Sequence, residues 1–410
     1  MARIYPFQPY RYTEQAGPLG NLVTQPYDKI SPAMRARYLS LSPYNLVRVI
    51  LGEPAAADSP SDNVYTRASA HLTAWIAGGI LARDPAPGVF PYFQEFTEPD
   101  TGEKLVRKGF IALGGVEDYS AGIVHRHEQT LSGPKKDRLE LLRHTRAHCE
   151  QLFMLYPDPA GAVDGLLDQA AGSPPLAEVA DEYGAVHRLW KIAGGGAAAV
   201  QALMADKKLL IADGHHRYET ALAFRDENPD LEAAGRVMMT FVNMHSPGLR
   251  ILATHRLVSN LAASGFPGEF LRSAESEFRV ERIDSLDRLK QAWAAGGRTT
   301  IGAAMGDALY LLEDRQAAGG LDVRVLHERV LGKLLGIGAE AVRDEKHLRY
   351  VRGLEAAVEQ ARTGAAQAAF LLKPVSVAEV AETSFAGGVM PQKSTDFYPK
   401  LLSGLTIYKI

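Results

Sequence analysis

"KKLLIADGHHRYETALAFRDENP", residues 207–229, sets an acid, a glycine, two histidines and an arginine in five consecutive positions behind an apolar run. "LLIA" is a short run of buried-strand type, and "YETALAFRDEN" puts Tyr218, Ala221, Leu222 and Arg225 on one helical face before Asn228-Pro229 stops it. The spacing predicts strand, tight turn, helix. In this reading Asp213 is the helix N-cap and Gly214 supplies a positive φ. The amides of residues 214–217 then direct unsatisfied N–H groups at one spot, where the helix dipole adds about half a positive charge. His215, His216 and Arg217 add donors there. A capped turn with surface histidines would explain Asp213 and Gly214 alone, but two histidines and an arginine in the first turn after a buried strand point to an anion site.

The rest of the chain frames that site. Its 410 residues suffice for two or three domains, because single cores rarely grow past roughly 250–300 residues. With 46% hydrophobic and 23% charged residues, the composition is that of an ordinary globular protein. A net charge of -3 gives no overall reason to bind nucleic acid or an anionic membrane. Cys149 is the only cysteine, which excludes an intramolecular disulfide and a cysteine-rich zinc site and suits a reducing compartment. "MARIYPFQPYRY" has no signal-type apolar core, and no stretch reaches the ~18 apolar residues of a bilayer span. The expectation is a cytoplasmic protein.

Five prolines in the first 35 residues favour an ordered extended arm. "VYTRASAHLTAWIAGGIL" predicts a helix ending at Gly78-Gly79, and "GVFPYFQEFT" and "VRKGFIALGGVEDY" predict strands around "EPDTGEK". "DRLELLRHTRAHCEQLFMLY" starts as a helix and runs into a strand. "VHRLWKI" is strand-like, and the "AGGGAAA" after it reads as a loop or loosely held connection. "GRVMMTFVNM" and "LRILATHRLV" read as paired strands, followed by helices alternating with the strands "TTIGAAM", "ALYLLE" and "AAFLLKPV".

"GIVHRHEQT" begins as a strand, with His125 and His127 on one face, but the pair lacks a third and fourth metal ligand. "GGVMPQKST" has Walker-like spacing, yet Gln392 replaces the needed glycine, Pro391 removes a donor and Pro399 interrupts the following helix. It is not a P-loop. "QPYDKIS" sets Asp28 after Pro26, where it either holds a metal or substrate amine or closes a structural turn.

"IADGHHRYETAL" resembles the phosphate-binding segment of the ParB/sulfiredoxin-like superfamily. Together with "QPYDKIS", "HRHEQT", "KKDRLELLRHTRA" and "VMPQKSTDFYPKLLSGL", it makes nearly the whole chain similar to the domain-of-unknown-function 1015 family. The resemblance implies an α/β (α+β) fold: a ParB/sulfiredoxin-like core over 166–260 carrying the turn, an N-terminal α/β domain over 1–165 and a C-terminal α/β region over 261–410. The superfamily handles nucleotide phosphates and includes free serine kinases, so it implies phosphoryl transfer between a nucleotide (ATP, ADP or CTP) and a small hydroxy-amino-acid such as serine, or the reverse on phosphoserine. A nucleotide-dependent switch with slow NTP hydrolysis, or hydrolysis of a phosphate ester, would use the same turn. Sulfiredoxins carry their reactive cysteine in this turn, where His215 stands here, so sulfinic-acid reduction is not expected. No helix-turn-helix with a basic recognition helix is visible, so nucleic acid is not an expected partner.

Within that scheme Gly214, His215, His216 and Arg217 bind phosphate. Glu128 and Asp213 hold Mg²⁺ or take the hydroxyl proton, with His216 a further catalytic candidate. A plain surface glutamate is the alternative for Glu128. His127, Glu128 and Thr130 fit the family's His-Glu-x-Thr pattern, and Asp137 and Arg138 also fall on family-like positions. Arg138 either contacts phosphate or pairs with Asp137. Lys393, Ser394 and Thr395 would add phosphate contacts or form only a structured loop. The oligomeric state is not legible.

Overall fold

Short runs of largely apolar residues, buried on both faces, form the central strands, and the computed structural model describes residues 2–128, 132–261, 265–316, 321–391 and 393–410. The chain divides into two compact units, one of Met1–Arg250 with Pro399–Ile410, the other of Ile251–Tyr398. Both mix helices with sheet, which makes the fold α/β in the α+β sense.

The first unit is built on one nine-stranded sheet. Its strands are Ile4–Tyr5 (β1), Phe90–Thr97 (β2), Lys104–Gly115 (β3), Val124–His125 (β4), Leu152–Tyr156 (β5), Ala177–Ala180 (β6), Val186–Leu189 (β7), Leu209–Asp213 (β8) and Arg236–Asn243 (β9). They run in the order β4-β8-β5-β9-β3-β2-β7-β6, with β1 also paired to β3. β2 and β3 form the expected hairpin, registered from Phe90↔Ile111 to Thr97↔Lys104. The unit's helices include Val64–Ala77 (α1), Ser132–Thr145 (α2), Ala162–Ala171 (α3), Gly194–Met204 (α4) and His215–Glu227 (α5). α1 is closed by an Asn63 capping box and ends at Gly78, as its sequence predicts. Phe110, Met154, Ile211 and Phe241 from the sheet join Val163, Val200 and Tyr218 from α3, α4 and α5 in one buried core.

Three expectations change. Segments 1–165 and 166–260 do not close separate sheets: β5 from the first lies hydrogen-bonded between β8 and β9 from the second, so neither segment completes its own ladder. "AGGGAAA" is not a loop but opens α4, because Ala197, Val200 and Met204 bury one face of it and tertiary packing outweighs glycine's poor helix propensity. "GRVMMTFVNM" and "LRILATHRLV" do not pair with each other. The first forms β9 beside β3 and β5, and the second passes after Arg250 into the other unit.

That second unit carries a six-stranded antiparallel sheet of His255–Val258 (β10), Phe278–Ile283 (β11), Thr300–Met305 (β12), Ala308–Asp314 (β13), Leu348–Val351 (β14) and Ala368–Leu371 (β15). Their order is β11-β13-β12-β15-β10-β14, with separate apolar clusters around Phe370 and Leu371.

Candidate functional site

β8 is apolar on both faces, with Leu209, Leu210, Ile211 and Ala212 all buried, and it delivers Asp213 to the edge of that core. Gly214 then takes φ 95, ψ 27, a left-handed turn that starts α5 at His215. Only glycine suits this position: a Cβ would sit 3.0 Å from Leu152 Cδ2 and 3.1 Å from the Arg217 guanidinium. The first intrahelical bond is Tyr218 N–H to the Gly214 carbonyl, 2.9 Å, so the amides of residues 215–217 precede the helix's own acceptors.

Gly214, not Asp213, is the N-cap, and no side chain caps the helix. Asp213 is otherwise engaged. Arg217 Nη2 donates to its Oδ2 at 2.8 Å and Lys400 Nζ to its Oδ1 at 3.2 Å. Burial alone would push this carboxyl up, but Lys400, Arg217 and Lys29 hold it well below the usual carboxylate range. Arg217 also donates to the Gln151 carbonyl at 2.5 Å. Burial opposes its cation, and Glu150, Asp213 and Asp28 more than offset that.

The charge of Arg217 also reaches buried Glu150, whose Oε1 accepts from the Tyr27 amide at 2.9 Å. Burial raises its carboxyl despite Arg217 and Arg138. Arg138 stacks 4.1 Å over the Tyr27 ring and donates to Asp137 Oδ2 at 2.8 Å and to the Ile50 carbonyl at 2.6 Å. Arg138 thus pairs with Asp137. Asp28 and Lys29 sit on the one-turn 3₁₀ segment Tyr27–Lys29, and their charges reach Arg217 and Asp213 respectively.

His127 and His215 form a buried pair, their rings 4.6 Å apart at 81°. His127 Nδ1–H donates to the Ile211 carbonyl at 2.7 Å, which fixes its tautomer, and the His127 amide faces His215 Nε2 at 3.5 Å. Burial pushes His127 down to about 4 and His215 well below its ordinary value. Both are therefore neutral near pH 7, and the His215 side chain packs inward against His127. His216 stays half-buried. Glu128, also half-buried, follows His127, so the backbone there lies beside the turn despite the intervening sequence. On α5, Glu219 faces Arg126 at 3.7 Å and Lys135 at 3.8 Å.

Thr130 lies outside the described residues. Lys393, Ser394 and Thr395 belong to the second unit, where the Lys393 carbonyl accepts from Arg256 at 3.1 Å and the Ser394 hydroxyl donates to the Pro391 carbonyl. The lysine that reaches the turn is Lys400. It escaped the sequence reading because no local pattern distinguishes it from Lys393; Glu150 was hidden beside the lone cysteine. Among the described residues no group of three or more His, Cys, Asp and Glu side chains is arranged to hold a metal ion. Asp213 does not fit as a magnesium ligand, since each of its oxygens already faces a cation. No helix among the described residues is long and apolar enough to cross a membrane.

No curated protein matches the chain. Among solved structures, it is similar to a conserved hypothetical protein from Pyrococcus furiosus at 15% identity, over 69% of this chain and 91% of that one, with a TM-score of 0.37. It is also similar to a free serine kinase in complex with AMP at 16% identity, over 70% and 88%, TM-score 0.39. A third likeness is to SbnI with a C-terminal truncation from Staphylococcus aureus at 11% identity, over 72% and 85%, TM-score 0.36. Residues 4–331, which include β8, the Gly214 turn and α5, match the family described as protein of unknown function (DUF1015), and the chain belongs to that family.

Proposed function

We propose that this protein binds a nucleotide through its phosphates at the start of α5 and moves a phosphoryl group between that nucleotide and a small hydroxy-amino-acid. The observation that carries the reading is the left-handed Gly214 turn, which presents the first-turn amides while Arg217, Lys400 and Lys29 gather around Asp213. Phosphoryl transfer asks a protein chiefly for positioning and for charge stabilisation, and this arrangement offers both. Serine as the acceptor rests on the resemblance of "IADGHHRYETAL" to the superfamily that includes free serine kinases. In this reading the amides of 214–217, His216 and Arg217 hold the phosphates, and Glu128 takes the hydroxyl proton. Asp213 anchors Arg217 and Lys400. A carboxyl held so far below its usual range is a poor proton acceptor, so it is not the base. Lys393, Ser394 and Thr395 have no role in this scheme.

The test is transfer of label from ATP, ADP or CTP, each tried singly, to a panel of hydroxy-amino-acids including serine. Parent protein should transfer, and Glu128→Gln should bind nucleotide like the parent yet transfer about 10²- to 10⁴-fold more slowly. Binding without transfer to any acceptor would leave a nucleotide-dependent switch, and release of phosphate from phosphoserine without nucleotide would leave an ester hydrolase. Either result rejects the kinase.

A further inference from the structure

Residues 399–402 carry Lys400 to Asp213 without regular secondary structure, so their backbone polar groups need partners from elsewhere. Three side chains of the large sheet provide three of them. Arg107 on β3 donates to the Pro399 carbonyl, Gln94 on β2 donates through Nε2 to the Lys400 carbonyl at 2.8 Å, and Tyr92 on β2 accepts at its hydroxyl from the Leu402 amide at 3.2 Å. Each of the three is only 1% exposed.

These groups form one oriented network. The Arg107 Nε–H donates to Gln94 Oε1 at 3.0 Å, which turns the Gln94 amide's N–H toward Lys400. The Tyr92 hydroxyl, having accepted from Leu402, lies 2.7 Å from His187 Nδ1, and His187 Nε2 lies 3.2 Å from Asp181 Oδ2. With Asp181 accepting, the His187 proton belongs on Nε2, and Nδ1 is left to accept from Tyr92. Arg107, Gln94 and His187 are cross-strand neighbours in a single row. Burying so many polar groups on a sheet face is costly unless they are hydrogen-bonded, as these are. Their combined effect is to fix the backbone at Pro399, Lys400 and Leu402, and the Lys400 ammonium then donates to Asp213 opposite Arg217.

We infer that Lys400 contacts the phosphate bound at the Gly214 turn, and that Gln94, Arg107 and Tyr92 are positioning residues that deliver it there. This rests on the phosphate reading of the turn. Lys400 is only 9% exposed and lies beyond the family-matched segment, so it adds a contact that the 213–217 motif does not contain.

The experiment measures ADP binding by calorimetry and, separately, amine labelling of Lys400 by mass spectrometry in the full chain. Lys400→Met should weaken ADP binding about tenfold to a hundredfold, the worth of a charge-assisted hydrogen bond, and Lys400→Arg should recover part of it. Gln94→Glu keeps the acceptor for Arg107 and removes the donor to the Lys400 carbonyl. It should weaken ADP binding and raise Lys400 labelling several-fold while Lys29 labelling stays at the parent level. Undiminished ADP binding by Lys400→Met would overturn the contact, and parental labelling in folded Gln94→Glu would overturn the positioning role. If Gln94→Glu fails to fold, the two Lys400 variants still decide the contact. A parent that binds neither ADP nor pyrophosphate would reject the phosphate reading itself and the contact with it, while the labelling would still decide whether the sheet positions Lys400.

Discussion

Gly214 concentrates several demands in one residue: a left-handed backbone, contact with Leu152 and room for the returning Arg217 guanidinium. Gly214→Ala should therefore cost about 1–3 kcal/mol in urea unfolding and abolish the rise in Tm on adding ADP. The histidine pair makes a separate prediction. His127 and His215 are depressed by burial from an ordinary 6.5, His127 to about 4. Between those values the unfolded chain binds more protons than the folded one. Their contribution is thus fully present above pH 6.5 and is lost as pH falls below it, for His127 down to about 4 at about 1.4 kcal/mol per pH unit. Urea midpoints measured from pH 7.5 to 5 should show this slope, and His127→Gln should remove one histidine's share. At this scale the sequence was legible where local chemistry is self-contained, as in Gly214. It was not where partners come from afar: Asp213 reads as a helix cap until Lys400, 187 positions later, takes one of its oxygens.

Elements were legible where pattern and propensity agree, as in the β2-β3 hairpin, α1 and the strand-turn-helix around Gly214. α4 shows the opposite case, since three glycines argue against a helix and only the core it covers explains one. Two of those glycines separate propensity from packing. Gly195 is exposed, with nothing near the place of a Cβ, so Gly195→Ala should stabilise by about 0.5–1 kcal/mol. At Gly196 the added methyl would meet Ile192 Cγ2 at 2.7 Å, so Gly196→Ala should gain less or lose stability. Paired thermal melts of the two variants would check this difference.

At the scale of the whole molecule, the first unit is interrupted after Arg250 and resumes at Pro399. That discontinuity was not legible, because strand patterning reports faces and periods and says nothing about which sheet a strand joins. The returning segment buries Leu401, Leu402, Leu405 and Ile407. Removing residues 399–410 should therefore lower the first unit's transition in chemical denaturation, leave the second unit's transition in place and abolish stabilisation by ADP. The interruption also sets an order of events during synthesis. At about 5–20 residues per second, a ribosome spends on the order of ten to thirty seconds making the second unit after β9 has emerged. Throughout that interval the nascent chain holds Asp213, Gly214 and Arg217 but no Lys400, and the sheet face that will seat residues 399–402 stands uncovered.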